Sequence, residues 1–218
     1  MRWLHSIAVW IFARTFNAMV ILLKIVIHLL AGGTFAYLFL LIDSGAFGGD
    51  PVKDIIHFTG KTAINLLIAT LLVTPVVKFT KYGQLNRVRR LLGIYCFVWA
   101  SSHFATFAFL DLGLDLSLLS TELVKRPYLV LGFSSWLILL AMAVTSTQAM
   151  MLRLKRRWKQ LHQLVYLVAI LIPIHYLWST KSEWIEPSIY IAIFAGLLIV
   201  RHQQIAKIIN QLKPKVVA

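Results

Sequence analysis

The chain has one cysteine, Cys96, and only eight acidic residues among 218. A lone thiol excludes an intrachain disulfide, a cysteine-built zinc or iron–sulfur site, and the C-x-x-C-H attachment of covalent haem. The acids are missing from the interiors of the long apolar runs, which removes the buried carboxylate on which a proton-coupled carrier usually relies. Neither H-E-x-x-H nor G-x-S-x-G occurs, so the sequence lacks these signatures of a zinc protease and of a serine hydrolase. No internal repeat or low-complexity tract stands out, which weighs against the repeat-built transporters. The connections between apolar runs are all under about 25 residues, too short to hold a soluble catalytic domain.

What the chain has instead is apolar length. It is 59% hydrophobic and 14% charged, with a mean hydropathy of +0.78, far from the composition of a soluble domain. A spanning helix needs about 20 mostly apolar residues. Six stretches qualify or come near: 18–42, 62–79, 91–110, 128–147, 161–180 and 187–201, the last short and the second holding Pro75. The expected fold is an all-α, six-helix transmembrane bundle. Residues 1–17 read as an interfacial lead-in, with Trp3, Ile7, Trp10 and Ile11 near one helical face and no cleavage site expected after Arg14. Residues 18–201 form the membrane domain, and 202–218 a basic tail.

The net charge of +14 follows the same layout. Lys78, Lys81, Arg87, Arg89 and Arg90 follow the second run; Arg153 to Lys159 follow the fourth; Arg201, Lys207, Lys213 and Lys215 follow the sixth. All eight acids fall on the opposite side. Basic residues collect on the cytoplasmic face of membranes, so both termini are expected there, and the basic charge reflects topology and lipid contact rather than nucleic-acid binding.

Histidine is the ionisable residue the runs do contain, and neutral imidazole is a strong metal ligand. In "KQLHQLVYLVAILIPIHYLW" (Lys159 to Trp178), His162 sits at the cytoplasmic edge. His175 lies about 9 Å of helix from the outer end, taking 1.5 Å per residue. His103, in the third run, lies about 12 Å from its outer end, a matching depth. Two imidazoles at one depth on two helices can ligate a haem iron from both sides. His162 has no such partner: 13 or 14 residues before His103 stand Arg90 and Arg89. Thirteen residues also turn a helix roughly 140° away from a shared face, although Pro173 permits a kink that could rotate His175 inward. His28 and His57 are at neither depth. A haem-free carrier would explain the topology but not the matched histidines.

Four stretches, "DPVKDIIHFTGKTA" (Asp50 to Ala63), "RVRRLLGIYCFVWASSHF" (Arg87 to Phe104), "RPYLVLGFSSWLILLAMAVTSTQAM" (Arg126 to Met150) and "RWKQLHQLVYLVAILIPIHYLWS" (Arg157 to Ser179), resemble the MsrQ (YedZ) family. These are haem-binding membrane subunits of bacterial protein-methionine-sulfoxide reductase systems, within the ferric reductase-like transmembrane group. The resemblance covers about residues 50–200. It implies an inner-membrane electron carrier with b-type haem, its ligand histidines mapping onto His103, His162 and His175. It implies flavin mononucleotide (FMN) as a further cofactor, quinol or a cytosolic flavin reductase as donor, and an MsrP-like periplasmic molybdoenzyme as acceptor. The oxidases of the group carry two histidines on each of two helices; Arg89 or Arg90 departs from that pattern. A ferric or cupric reductase is the alternative within the redox class. The acidic segments Asp43 to Lys61, Asp111 to Arg126 and Lys181 to Pro187 are the expected docking surface for the acceptor.

Overall fold

A computed structural model describes residues 2–180 and 183–212, with side chains described from residue 18 onward except at Leu116 and at a few positions near the C-terminal end. Among the described residues all regular structure is helical. Helix α1 spans Arg2–Asp43, α2 Pro51–Thr80, α3 Asn86–Thr106, α4 Leu116–Lys125 and α5 Pro127–Val144. They are followed by α6 Gln148–Leu154, α7 Arg156–Gln163, α8 Val165–Ser179, α9 Ile185–Val200 and α10 His202–Leu212.

Five stretches are long and apolar enough to cross a membrane: Ala18–Asp43, Pro51–Thr80, Gly83–Asp111, Pro127–Val144 and Arg156–Ser179. Helix α9 occupies the place of the sixth expected run but has 16 residues, about 24 Å at 1.5 Å per residue, against a hydrocarbon core of about 30 Å. Helix α1 runs without a break from the lead-in into the first span. The amphipathic face expected around Trp3 and Trp10 falls on side chains outside the described set.

Helix α2 packs chiefly on α3, and α5 on α8, so the centre consists of two antiparallel hairpins. Their interface holds Leu67, Leu71, Cys96, Leu139 and Val168, with Phe194 of α9 in the same buried cluster. Trp99 is fully buried and stacks on Phe35 of α1 at 4.0 Å between ring centroids, which pins the first helix to the third.

Several segments expected as loops are helical. Helix α2 begins about eleven residues before the apolar run it was read from. Asp50 caps its end by accepting from the Lys53 amide, and Pro51 supplies a first-turn φ. The charged side chains of Lys53, Asp54 and Lys61 mask this extension from a hydropathy reading. Between α3 and α5 the chain forms α4, capped by Asp115, which accepts from the amides of Ser117 and Leu118 and from the Ser117 hydroxyl. The basic stretch 153–159 belongs to α6 and α7, joined at Lys155 with φ 48°.

Candidate histidine pair and inner cavity

His103 sits near the C-terminal end of α3, four residues before a π-helical turn over Phe107–Asp111; such turns recur at functional sites. His175 sits on α8, two residues after buried Pro173. Their ring centroids lie 6.3 Å apart with planes at 89°. An imidazole nitrogen binds a first-row metal at roughly 2 Å and lies roughly 1.1 Å from its own ring centre, so two imidazoles on one metal place their centres about 6 Å apart.

The hydrogen bonds around the pair set its tautomer. His103 Nδ1 is 2.9 Å from the Ile56 carbonyl, and His175 Nδ1 is 2.7 Å from the Tyr128 carbonyl. A carbonyl only accepts, so each Nδ1 carries the hydrogen and donates. Each Nε2 is thereby left with its lone pair, the form of a ligating histidine oriented by a backbone acceptor.

Both acceptors lie 47 residues before their histidine. The match extends to a glycine on each neighbouring helix. A Cβ on Gly60 would stand 3.0 Å from His103 Nδ1, and one on Gly132 would stand 2.7 Å from His175 Cε1. Ile56 and Tyr128, Gly60 and Gly132, His103 and His175 all share one offset of 72 residues. The two hairpins thus build one cradle twice, each with an acceptor carbonyl, a glycine and an imidazole. This equivalence was invisible as a sequence repeat because only the glycine and the histidine are shared side chains; the third contact uses backbone.

His162 does not join the pair. It lies on α7, stacked on Trp158 at 4.0 Å between centroids, with Nε2 3.3 Å from Thr145 Oγ1. There it lines a cavity of about 710 Å³ beside the N-terminal part of α3, together with Lys24, Arg89, Arg90, Lys159 and Arg201. Between His162 and His175 the helix breaks at Leu164, whose amide bonds to the Leu161 carbonyl as α7 gives way to α8. At the 72-residue offset the position equivalent to His162 is Arg90.

A model of the ferric reductase like transmembrane component family matches residues 59–173, just over half of the chain. The chain belongs to that family. The matched region contains His103 and His162 and ends two residues before His175. Membership in the ferric reductase-like family points to electron transfer across a membrane, and the family generally binds haem. No solved structure matches the chain.

The histidine pair fits haem iron by its donor type, separation and tautomers, and no cluster of three or more His, Cys, Asp or Glu side chains suited to a bare metal ion occurs among the described residues. Sequence inspection passed over Lys24 and Arg201. Lys24 is a charge six residues inside the first apolar run, a signal hydropathy averaging suppresses. Arg201 reads as a topogenic charge, yet it is buried at 5% exposure.

His28, which sequence depth set aside, contacts Tyr95 across α1 and α3, its Nδ1 2.5 Å from the tyrosine oxygen. Three of the acids expected to face an acceptor are engaged within the fold. Glu186 pairs with Lys61 at 2.7 Å, Glu122 with Arg126 at 2.5 Å, and Asp54 accepts from the Gly48 amide.

Proposed function

We propose that this chain is an electron-carrying membrane subunit in which His103 and His175 hold one b-type haem near the outer face. The observation that carries the reading is the pair itself: two imidazoles 6.3 Å apart, each with Nδ1 satisfied by a backbone carbonyl. When bound, haem would supply a one-electron iron couple, and His103 and His175 are the residues that would hold it. The protein's contribution is positioning. Ile56 and Tyr128 orient the two rings, Gly60 and Gly132 let helix backbones approach them, and hydrophobic packing around Cys96 and Val168 separates the site from the inner face.

In this reading the chain spans a bacterial inner membrane six times with both termini cytoplasmic, α9 providing the last crossing. Electrons come from quinol or a cytosolic flavin reductase, with FMN as a further cofactor. They leave to an MsrP-like molybdoenzyme that reduces methionine sulfoxide in periplasmic proteins. The resemblance of the four long motifs supports that acceptor over a ferric or cupric ion.

The test is a dithionite-reduced minus oxidised spectrum of the detergent-purified chain, with haem quantified as pyridine haemochrome. A low-spin b-type signal near one haem per chain, lost in both His103→Ala and His175→Ala and kept in His162→Ala, is the expected result. Full haem in both of the first two variants refutes the pair. Electron delivery to a purified MsrP-like acceptor, compared with ferric citrate, separates the two redox readings.

A further inference from the structure

Pro75 leaves a gap in the hydrogen bonding of α2. Proline has no amide hydrogen, so the carbonyl four residues earlier, that of Leu71, loses its helical donor. Arg201 fills the gap: its Nη2 donates to the Leu71 carbonyl. This bond explains why a guanidinium at the joint between α9 and α10 lies inward, with only 5% of the residue exposed. Its Nη1 is 3.4 Å from the Tyr166 hydroxyl, which in turn donates to Gln204 Oε1 at 3.2 Å. Its Nε is buried with no partner.

Hydrogen bonds to neutral groups do not balance a charge. A guanidinium stays protonated, and burying it without an anion is costly. Beside it lies a small pocket of about 220 Å³, lined by Thr74, Pro75 and Lys78 of α2, by Arg201, and by Gln203 and Gln204 of α10. The lining has two cations and no acid. Arg89 of α3 donates to Thr74 Oγ1 at 3.1 Å, which brings a third positive side chain to the same wall. The two ion pairs among the described residues, Lys61–Glu186 and Arg126–Glu122, involve none of these three.

Size and surroundings indicate the kind of anion. Whole small molecules occupy pockets of about 300–1,000 Å³, so this one suits a head group whose remainder stays outside. Outside, the surface is apolar and open. Leu72, Val76 and Phe79 form an exposed stripe on α2 beside the polar residues, and Ile199 and Val200 are exposed at the end of α9. Both helices are apolar, and the pocket lies at the end of the bundle where basic residues gather. Basic pockets between transmembrane helices bind anionic lipid head groups; a free anion would make no use of the apolar stripe.

We propose that the pocket between Pro75 and the joint of α9 with α10 holds the phosphate of an anionic membrane lipid, gripped by Arg201 and Lys78, with acyl chains along Leu72, Val76 and Phe79. The head group completes the contact by which Arg201 ties the last two helices to α2. The inference rests on the chain crossing a membrane and is independent of what the histidine pair binds.

The test titrates the full chain in mild detergent with phosphatidylglycerol or phosphatidylcholine and counts retained lipids by native mass spectrometry. One phosphatidylglycerol is expected to bind saturably, in preference to phosphatidylcholine. A cation near a lipid phosphate contributes enough that its loss weakens binding about fivefold, and a buried charge-assisted hydrogen bond about tenfold or more. Lys78→Gln should therefore weaken retention about fivefold and Arg201→Gln about tenfold. Arg153→Gln, which removes an exposed charge outside the pocket, should leave it unchanged. Lys78 is exposed, so its variant decides the matter even if Arg201→Gln fails to fold. Equal retention of the two lipids, or equal weakening in Lys78→Gln and Arg153→Gln, overturns the proposal. So does displacement of phosphatidylglycerol by inorganic phosphate at the same concentration, which would assign the pocket to a free anion; retention in its presence supports the lipid.

Discussion

Replacing Gly132 with alanine tests the His103–His175 pair without changing either histidine. The added Cβ would stand 2.7, 2.8 and 3.3 Å from Cε1, Nδ1 and Nε2 of His175. Ordinary contact begins near 3.4 Å, so the ring must retreat by about 0.7 Å. The obstacle is fixed to the backbone of α5, and a retreat of the ring would strain the 2.7 Å bond from His175 Nδ1 to the Tyr128 carbonyl of the same helix. A metal–ligand distance tolerates about 0.2 Å, so Gly132→Ala is expected to lose most of its axial ligation. Pyridine haemochrome and the reduced-minus-oxidised spectrum of purified protein would show haem per chain falling by at least about half, the remainder shifting toward high spin. Gly60→Ala, whose Cβ would meet His103 at 3.0 Å, should show the same change more weakly. Gly196→Ala, with open space at that position, is the control for inserting a methyl group into an apolar helix. If Gly132→Ala matches Gly196→Ala in haem content and spectrum, the cradle reasoning fails.

Other expectations concern the frame around the site. Glu186→Gln removes the Lys61 pair that ties α2 to α9; with both side chains over a third exposed, the loss should stay below about 1 kcal/mol. Thermal melts in detergent should show a small decrease at low salt that disappears at high salt, and a large, salt-independent loss would contradict a solvated pair. The Asp115 carboxyl is held below its ordinary value, first by the Ser117 hydroxyl and then by the amides of Leu118 and Ser117. A depressed acid stabilises the folded form above its unfolded value, near 4, and that contribution is lost as pH falls through the folded value. Protection of the Ser117 and Leu118 amides should therefore decline in acid in wild type, and Asp115→Asn should flatten the profile. Tyr95→Phe removes the hydroxyl that meets His28. It should change the ring-nitrogen chemical shifts of His28 while leaving those of His103 and His175 unchanged.

The parts of this molecule that depend on hydropathy were legible in its sequence. Each expected span has a helix at its place, and the depth argument pairing His103 with His175 agrees with their 6.3 Å separation. What escaped was set by backbone and context. Helix α2 starts at an Asp–Pro cap that hydropathy does not weigh, and α4 and α6 were hidden by their charges. The two halves match through carbonyls and glycines, which leave no apolar pattern to detect. The 140° figure assumed one unbroken helix; the chain instead breaks at Leu164, and both histidines reach α5, His175 at Tyr128 and His162 at Thr145 just past its end. Arg201 illustrates the limit most clearly, because no single-sequence rule separates a buried guanidinium from the topogenic charges around it.

The doubled cradle also bears on assembly. Each hairpin supplies a single imidazole, already oriented by its own carbonyl and glycine, so neither half alone presents a two-sided site. The paired site exists only once α2–α3 and α5–α8 have docked, and any ligand that needs both imidazoles binds the docked form alone. By mass action such a ligand shifts the equilibrium between separated and docked hairpins toward closure. A subunit deprived of it during insertion would accumulate as two formed hairpins with a loosened seam, open to proteolysis in the segment 107–126 that connects them.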